Sequence, residues 1–256
     1  LAGKPFCIEK PVGINSEEVK HLKEAAEKAG VKSMVCFSYR FMPAVRYAKY
    51  LIEQGILGKI NAVYAQYLKS SAFIEGRRLD WRFEKSFARY GVSGDLGVHL
   101  IDLATFLAGD IKRVCADIGI VVKERKRLDS EEYAPVETDD YCNFLANMEG
   151  GASATFSISR CATGNTNYIR AEIYGDKGGI RFNLNESDRL EVCKDGKMEL
   201  TMVPAEFFTT QMQEFINVIN GKPDPYVPTL DDGYKCQRVL DAILESAENN
   251  TWISLD

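Results

Sequence analysis

Glu9-Lys10-Pro11 stands at the exit of a short apolar run, Pro5-Phe6-Cys7-Ile8, just ahead of the helix signal Asn15-Ser16-Glu17-Glu18. A lysine at the carboxyl end of a strand lies where open α/β sheets take their ligands, in the crevice outside the strand ends. If burial or neighbours lower its proton affinity it serves as an acid or base; if not, it is one more solvated lysine. A second group of reactive residue types lies in Gly91-Val92-Ser93-Gly94-Asp95-Leu96-Gly97-Val98-His99-Leu100-Ile101-Asp102. Asp95 and His99 are spaced i, i+4, so on a helix they share a face, with the glycines letting the backbone turn tightly into it. A carboxylate beside an imidazole can bind a hydroxyl and take its proton near neutral pH. The same residues also read as a helix cap (Asp95), a satisfied core histidine (His99) and an ordinary polar helix position (Asp102). The glycines do not form a phosphate loop, because the order GxGxxG occurs neither there nor anywhere else in the chain.

The elements that must hold these groups begin with a predicted strand over 5–9. A helix follows from Ser16 to Ala29, with Ser16 as N-cap, Glu17 and Glu18 in the first turn, Val19, Leu22, Ala25, Ala26 and Ala29 on one side, and Gly30 as terminator. A second strand, Ser33 to Ser38, completes one βαβ unit. Such a unit alone leaves sheet edges and apolar faces uncovered. The chain also enters its first strand almost at once, from Leu1 rather than Met, so an upstream segment is expected. After Arg40 the pattern changes: a helix over about 43–54, a strand over 59–67, a charged and aromatic loop through Trp81-Arg82, and a helix over about 98–107. Strands are predicted at 111–122, 138–148, 151–159, 167–175, 179–184, 189–194 and 197–202, then helices at 205–220 and 230–249. Short turns between consecutive strands dictate an open, mainly antiparallel sheet, with helices covering one face. Residues 122–136, rich in Lys, Arg, Asp and Glu, read as a solvated connection.

Composition removes several function classes. With 256 residues, 45% hydrophobic and 27% charged, the chain suits a soluble globular protein with a sizeable core. A net charge of −5 supplies no basic field for nucleic acid or for an anionic membrane surface. Cys7, Cys36, Cys115, Cys142, Cys161, Cys193 and Cys236 are scattered without CxxC spacing, which fits a reducing compartment, and His21 and His99 are too few to suggest a zinc site. No apolar run reaches the roughly 18 to 20 residues that span a bilayer. A cytoplasmic location is predicted.

Taken together, several segments resemble one family. Glu9-Lys10-Pro11, Tyr39-Arg40-Phe41-Met42-Pro43-Ala44-Val45-Arg46, Gly55-Ile56-Leu57-Gly58-Lys59-Ile60, Trp81-Arg82 and Gly94-Asp95-Leu96-Gly97-Val98-His99-Leu100-Ile101-Asp102 look like the glucose-fructose oxidoreductase, inositol dehydrogenase and MocA family. The likeness continues through Ala162-Thr163-Gly164-Asn165, Tyr174-Gly175-Asp176-Lys177-Gly178 and Cys236-Gln237-Arg238-Val239-Leu240-Asp241. It implies an α+β chain: residues 1–40 the closing βαβ unit of a truncated dinucleotide-binding Rossmann domain, residues 41–256 a substrate-binding and oligomerisation domain. It implies an NAD- or NADP-dependent oxidoreductase acting on a sugar, inositol or related polyol, assembled as a homodimer or homotetramer through the open sheet face. By the same resemblance Glu9, Lys10 and Pro11 border the cofactor, Lys10 orients the substrate and shares in proton transfer, His99 is the general base, and Asp95 binds the adjacent hydroxyl. Tyr39, Trp81 and Arg82 join Asp95 and His99 as substrate-binding residues, and no metal takes part. Without a glycine-rich loop the chain alone is expected to be inactive. The alternative is a non-catalytic sugar or dinucleotide sensor, or an oligomerisation module, on the same fold.

Overall fold

A computed structural model describes residues 3–255. Strand β1 (Phe6–Ile8), helix α1 (Ser16–Lys28) and strand β2 (Ser33–Val35) form the predicted βαβ unit, with Phe6 opposite Ser33 in a parallel pair. The N-cap of α1 is Asn15 rather than Ser16. The Asn15 side chain accepts from Glu18 N at 2.9 Å, whereas Ser16 N donates to the Asp241 carboxylate at 2.7 Å. The sulfurs of Cys7 and Cys36 lie 3.0 Å apart across this unit, and both are free thiols.

The remainder runs α2 (Pro43–Glu53), β3 (Ile60–Leu68), α3 (Val98–Ala108), β4 (Ile111–Gly119), β5 (Glu124–Lys126), β6 (Tyr133–Pro135), β7 (Tyr141–Met148), β8 (Ser153–Ser159), β9 (Tyr168–Gly175), β10 (Gly179–Asn183), β11 (Arg189–Lys194), β12 (Lys197–Met202), α4 (Gln211–Ile219), α5 (Leu230–Asn249) and β13 (Ile253–Ser254). One nine-stranded sheet is ordered β12-β11-β10-β9-β3-β8-β7-β4-β13. β3 pairs in parallel with β8 and antiparallel with β9, and every other neighbouring pair is antiparallel. Period-2 alternation sends Val63, Ala65 and Tyr67 of β3, Phe144 and Met148 of β7, and Phe156 and Ile158 of β8 into the core. There α2, α3 and α5 cover them. Phe144 and Phe156 are cross-strand partners with stacked rings 4.1 Å apart, and burying such a ring contributes about 1.5–3 kcal/mol. The opposite face carries Tyr64, Gln66, Leu145, Thr155, Ser157, Arg170, Glu172 and Tyr174, and among the described residues no helix lies over it.

Three expectations are corrected. The 122–136 segment, though largely exposed, is not an irregular loop: β5 and β6 pair as a hairpin, and Arg125 is 5% exposed. Its guanidinium stacks 4.6 Å from the Phe83 ring and donates to the Ala72 carbonyl at 2.8 Å, so a charged residue is buried by planar stacking and a backbone acceptor. The helix expected at 205–220 begins at Gln211, because Thr210 caps it by accepting from Gln213 N at 3.2 Å. The strand expected from 138 begins at Tyr141, because Asp139 and Asp140 turn inward to bind other segments.

One buried ionic network joins three elements. Arg40, on a single 3₁₀ turn (Ser38–Phe41), donates to Asp102 of α3 at 2.6 and 2.9 Å and to Asp232 of α5 at 2.8 Å. Asp102 is therefore not an ordinary polar helix position. Burial pushes its carboxyl up to about 6 against the pull of the guanidinium.

Candidate active site

β1 ends at Ile8, and the backbone then carries Glu9, Lys10 and Pro11 along the wall of a cleft of ≈ 640 Å³. The Lys10–Pro11 bond is cis. Lys10 is not a freely solvated lysine. Its side chain is 16% exposed, and Nζ donates to the Asp95 carbonyl oxygen at 2.7 Å and lies 3.5 Å from the Asp95 carboxylate. Two groups 85 residues apart in sequence thus meet on the cleft wall.

Asp95 sits on a π-helical turn, Ser93–Gly97, that runs directly into α3. The turn is pinned from below by Asp139, whose carboxylate accepts from Gly91 N and Ser93 N, each at 2.7 Å. Gly91 serves this approach rather than a positive φ: a Cβ there would stand 2.2 Å from the Asp139 carbonyl oxygen. Arg160, 4% exposed, holds Asp139 in turn by donating to its carbonyl at 2.8 Å, and its Nε faces Asp140 at 3.5 Å.

His99 stands on the first turn of α3, 8% exposed, and its Nδ1 is buried with no hydrogen-bond partner. The expected direct pairing of Asp95 with this imidazole does not form on that nitrogen. The π-turn leaves the Asp95 side chain 51% exposed and joined to Lys10 instead. Burial first, and the Lys10 charge second, push the His99 imidazole down to about 3, with Asp95 opposing. The ring is neutral at physiological pH, and it is a much weaker base than the ordinary value near 6.5 would make it. Tyr39 packs on it with ring centroids 4.4 Å apart.

The outer wall is the loop carrying Trp81 and Arg82. Asp80 caps this short turn by accepting from Arg82 N at 2.9 Å, and the Arg82 guanidinium lies 4.3 Å from the Trp81 ring centroid. Trp81 is 52% exposed, so an apolar ring edged by a cation is presented to the cleft. The arrangement offers a cation and a carboxylate on one cleft beside an aromatic platform, with a neutral imidazole buried within reach of both charges. Such a set suits binding a polyhydroxylated molecule and moving a hydroxyl proton.

A family model for the GFO/IDH/MocA C-terminal domain matches residues 45–181. Levoglucosan dehydrogenase of Pseudarthrobacter phenanthrenivorans is 30% identical over 99% of this chain and 74% of its own length. The chain belongs to the GFO/IDH/MocA family. Within that family, scyllo-inositol 2-dehydrogenase (NADP(+)) of Bacillus subtilis is 25% identical over 100% of this chain and 73% of its own. A levoglucosan dehydrogenase structure in complex with NADH and L-sorbose superposes with TM-score 0.90 at 30% identity, covering 100% of this chain and 74% of that one. The chain thus spans about three quarters of the length of these family members.

Of the residues singled out in the sequence, Glu9, Lys10, Pro11, Trp81, Arg82 and Asp95 line the one cleft. His99 and Tyr39 lie together, with His99 within electrostatic reach of both Lys10 and Asp95. Sequence reasoning missed the supports: Arg40 and Asp102, Asp139 and Arg160, and Tyr67, which bonds to Tyr39 and donates to Asn167. The consecutive acids Asp139-Asp140 at the mouth of an apolar strand were the one available signal. Among the described residues no cluster of His, Cys, Asp and Glu could hold a metal ion, and no helix is long and apolar enough to cross a membrane.

Proposed function

We propose that this GFO/IDH/MocA protein is an NAD(P)-dependent oxidoreductase that moves a hydride between a nicotinamide cofactor and a hydroxyl-bearing carbon of a sugar, inositol or related polyol. The observation that carries this is the meeting of Lys10 and Asp95 beside a neutral, unpartnered imidazole. The residues present fit the nicotinamide end of the cofactor: Glu9, Lys10 and Pro11 wall the cleft, and His99, whose buried Nδ1 has no hydrogen-bond partner, feels the charges of Lys10 and Asp95. The cofactor, when bound, supplies the hydride acceptor, and its chemistry is its own. Residues 1–40 are the closing part of the dinucleotide domain and 41–256 the substrate and oligomerisation domain.

Lys10 stabilises negative charge building on the reacting oxygen, a role for which it is already held against Asp95. Asp95, largely exposed, accepts from the adjacent hydroxyl. His99 takes the hydroxyl proton at a ring nitrogen. Trp81 offers its ring to the apolar face of the sugar.

The test is turnover of a polyol panel with NAD and NADP by the full-length protein, before and after Lys10→Met. Turnover that falls by roughly 10²-fold or more supports the assignment. Cofactor binding with no turnover of any polyol replaces the enzyme with a sensor. This chain alone carries no GxGxxG loop. It is proposed not to hold the dinucleotide by itself, and micromolar NADH binding would overturn that. The uncovered sheet face, with Tyr64 at 49% and Leu145 at 48% exposure, is proposed as the contact between copies of the chain.

A further inference from the structure

Asp241, on α5, binds residues of both walls of the cleft without lining the cleft itself. One wall is the stretch from Glu9 to Ile14, which carries Lys10; the other lies between Trp81 and Asp95. Asp241 faces a neighbouring groove of ≈ 920 Å³, and Arg89 lines both. Its two oxygens divide between the walls. Oδ2 accepts from Ser16 N at 2.7 Å, an amide of the first turn of α1 that has no partner within the helix. Oδ1 accepts from Tyr90 Oη at 2.6 Å and lies 3.1 Å from Arg89 Nη1. An ionised carboxylate only accepts, and Gln237 Nε2 donates to the same phenol oxygen at 2.9 Å, so the Tyr90 proton points to Asp241.

Each arm continues to a group proposed for catalysis. On the first wall, the Glu18 carboxylate in the same turn of α1 accepts from Ile14 N at 2.7 Å and fixes the stretch that leads back to Lys10. On the second, Tyr90 packs so closely on the π-turn that a Cβ on Gly94 would stand 2.6 Å from Tyr90 Cβ, and the next residue is Asp95. Arg89 Nη1 also donates to the Ile14 carbonyl at 3.3 Å, so the walls meet beside Asp241.

We infer that Asp241 is a positioning residue for the reaction, a clasp whose two oxygens set the spacing between the wall that carries Lys10 and the wall that carries Asp95. The inference rests on the polyol-dehydrogenase reading above. Lys10 and Asp95 must address one substrate together, and a misplacement of about 1 Å at such a site costs up to about 10²-fold in rate. The clasp acts only with both oxygens engaged. Cutting either arm undoes it, and cutting the second adds little.

The experiment is steady-state kinetics of the full-length protein with whichever of D-glucose and myo-inositol is turned over faster, kcat being expressed per NADH-binding site so that unfolded molecules do not count. Tyr90→Phe removes a single oxygen and with it the loop arm. Ser16→Pro removes the donor of the α1 arm: proline suits the first helical position, and Asn15 before it is already extended, with φ −161° and ψ 169°. Asp241→Asn keeps the shape but has one accepting oxygen for two walls. Each single variant is expected to lower kcat by roughly 10- to 100-fold with the polyol KM within about threefold of wild type. The double variant Ser16→Pro with Tyr90→Phe should lie within about threefold of the worse single. A double loss equal to the product of the single losses means that the arms act independently and overturns the inference. So does a kcat for Asp241→Asn within about threefold of wild type, or a loss carried by KM. If Asp241→Asn does not fold, the Ser16 and Tyr90 cycle decides alone. With substrate deuterated at carbon, the isotope effect on kcat should be at least that of wild type in every variant, because hydride transfer is the step made slower, and a smaller one counts against the clasp. If the wild type turns over neither polyol, the dehydrogenase reading fails and takes this inference with it. If it turns one over and the cycle is multiplicative, this inference fails alone.

Discussion

His99 shows how far a residue's type falls short of its chemistry. The imidazole could be read from the sequence as a base titrating near neutrality, but its environment could not, because the charge that bears on it most comes from Lys10 in another element. His99→Asn in the active protein should lower kcat by roughly 10²- to 10⁴-fold if the ring takes the proton, and a near-normal rate would return it to the core. The acid limb of kcat/KM should show no His99 ionisation near pH 6.5. Stability carries the same signature. The unfolded imidazole binds a proton below about 6.5 and the folded one only near 3, so between these values the unfolded state holds more protons and stability falls as pH is lowered. The loss approaches about 1.4 kcal/mol per pH unit within that window. Asp102, pushed up to about 6, works in the opposite sense, favouring the folded state below its unfolded value and losing that contribution as pH rises through 6. Melting temperatures of wild type and His99→Asn between pH 4 and 6.5 isolate the first effect. The variant should lose less on acidification, and parallel curves would contradict the shift.

At the scale of elements, α3 is placed by ionic bonds as much as by packing. Arg40 meets Asp102 across 62 residues of sequence and Asp232 across 192, bridging the 3₁₀ turn after β2, α3 and α5. Asp102→Asn leaves the guanidinium buried with half its partners and should destabilise the protein by about 3–5 kcal/mol, read as a lower urea midpoint at unchanged m-value. Arg40→Lys should recover little, since an ammonium cannot reproduce the fork. None of this was visible in the sequence, where Arg40 and Asp102 look like surface charges. What was visible obeyed local rules: the βαβ unit through its apolar runs and Gly30, α2 through Pro43 and Gly55, and the sheet strands through strict alternation. The β5–β6 hairpin was hidden because its inward-facing residues are an arginine and a small alanine, Arg125 and Ala134, rather than an alternating run of large apolar side chains. The π-turn was hidden because nothing in Ser93–Gly97 separates it from an α-helical start; its register is set by Asp139, which lies far along the chain. The residues proposed for catalysis were thus legible by type and spacing, and the groups that hold them were not.

At the scale of the molecule the sheet has two unlike faces. One is sealed by helices, while the other offers Tyr64, Leu145, Leu200 and Met202 to solvent amid the ion pairs Arg170–Glu172 and Arg181–Glu191, both 2.8 Å. If copies of the chain meet there, the double variant Tyr64→Lys and Leu145→Lys should shift sedimentation equilibrium towards the monomer with the melting temperature little changed. An unchanged mass would move the interface elsewhere. The position of β3 has a different consequence, in time rather than space. Its two partners begin at Ser153 and Tyr168, so a ribosome adding about 5–20 residues per second leaves both edges of β3 open for on the order of 5–20 s after it is made. The innermost strand of the finished sheet is, during synthesis, an unprotected edge that chaperones and other nascent chains can reach before its own neighbours exist.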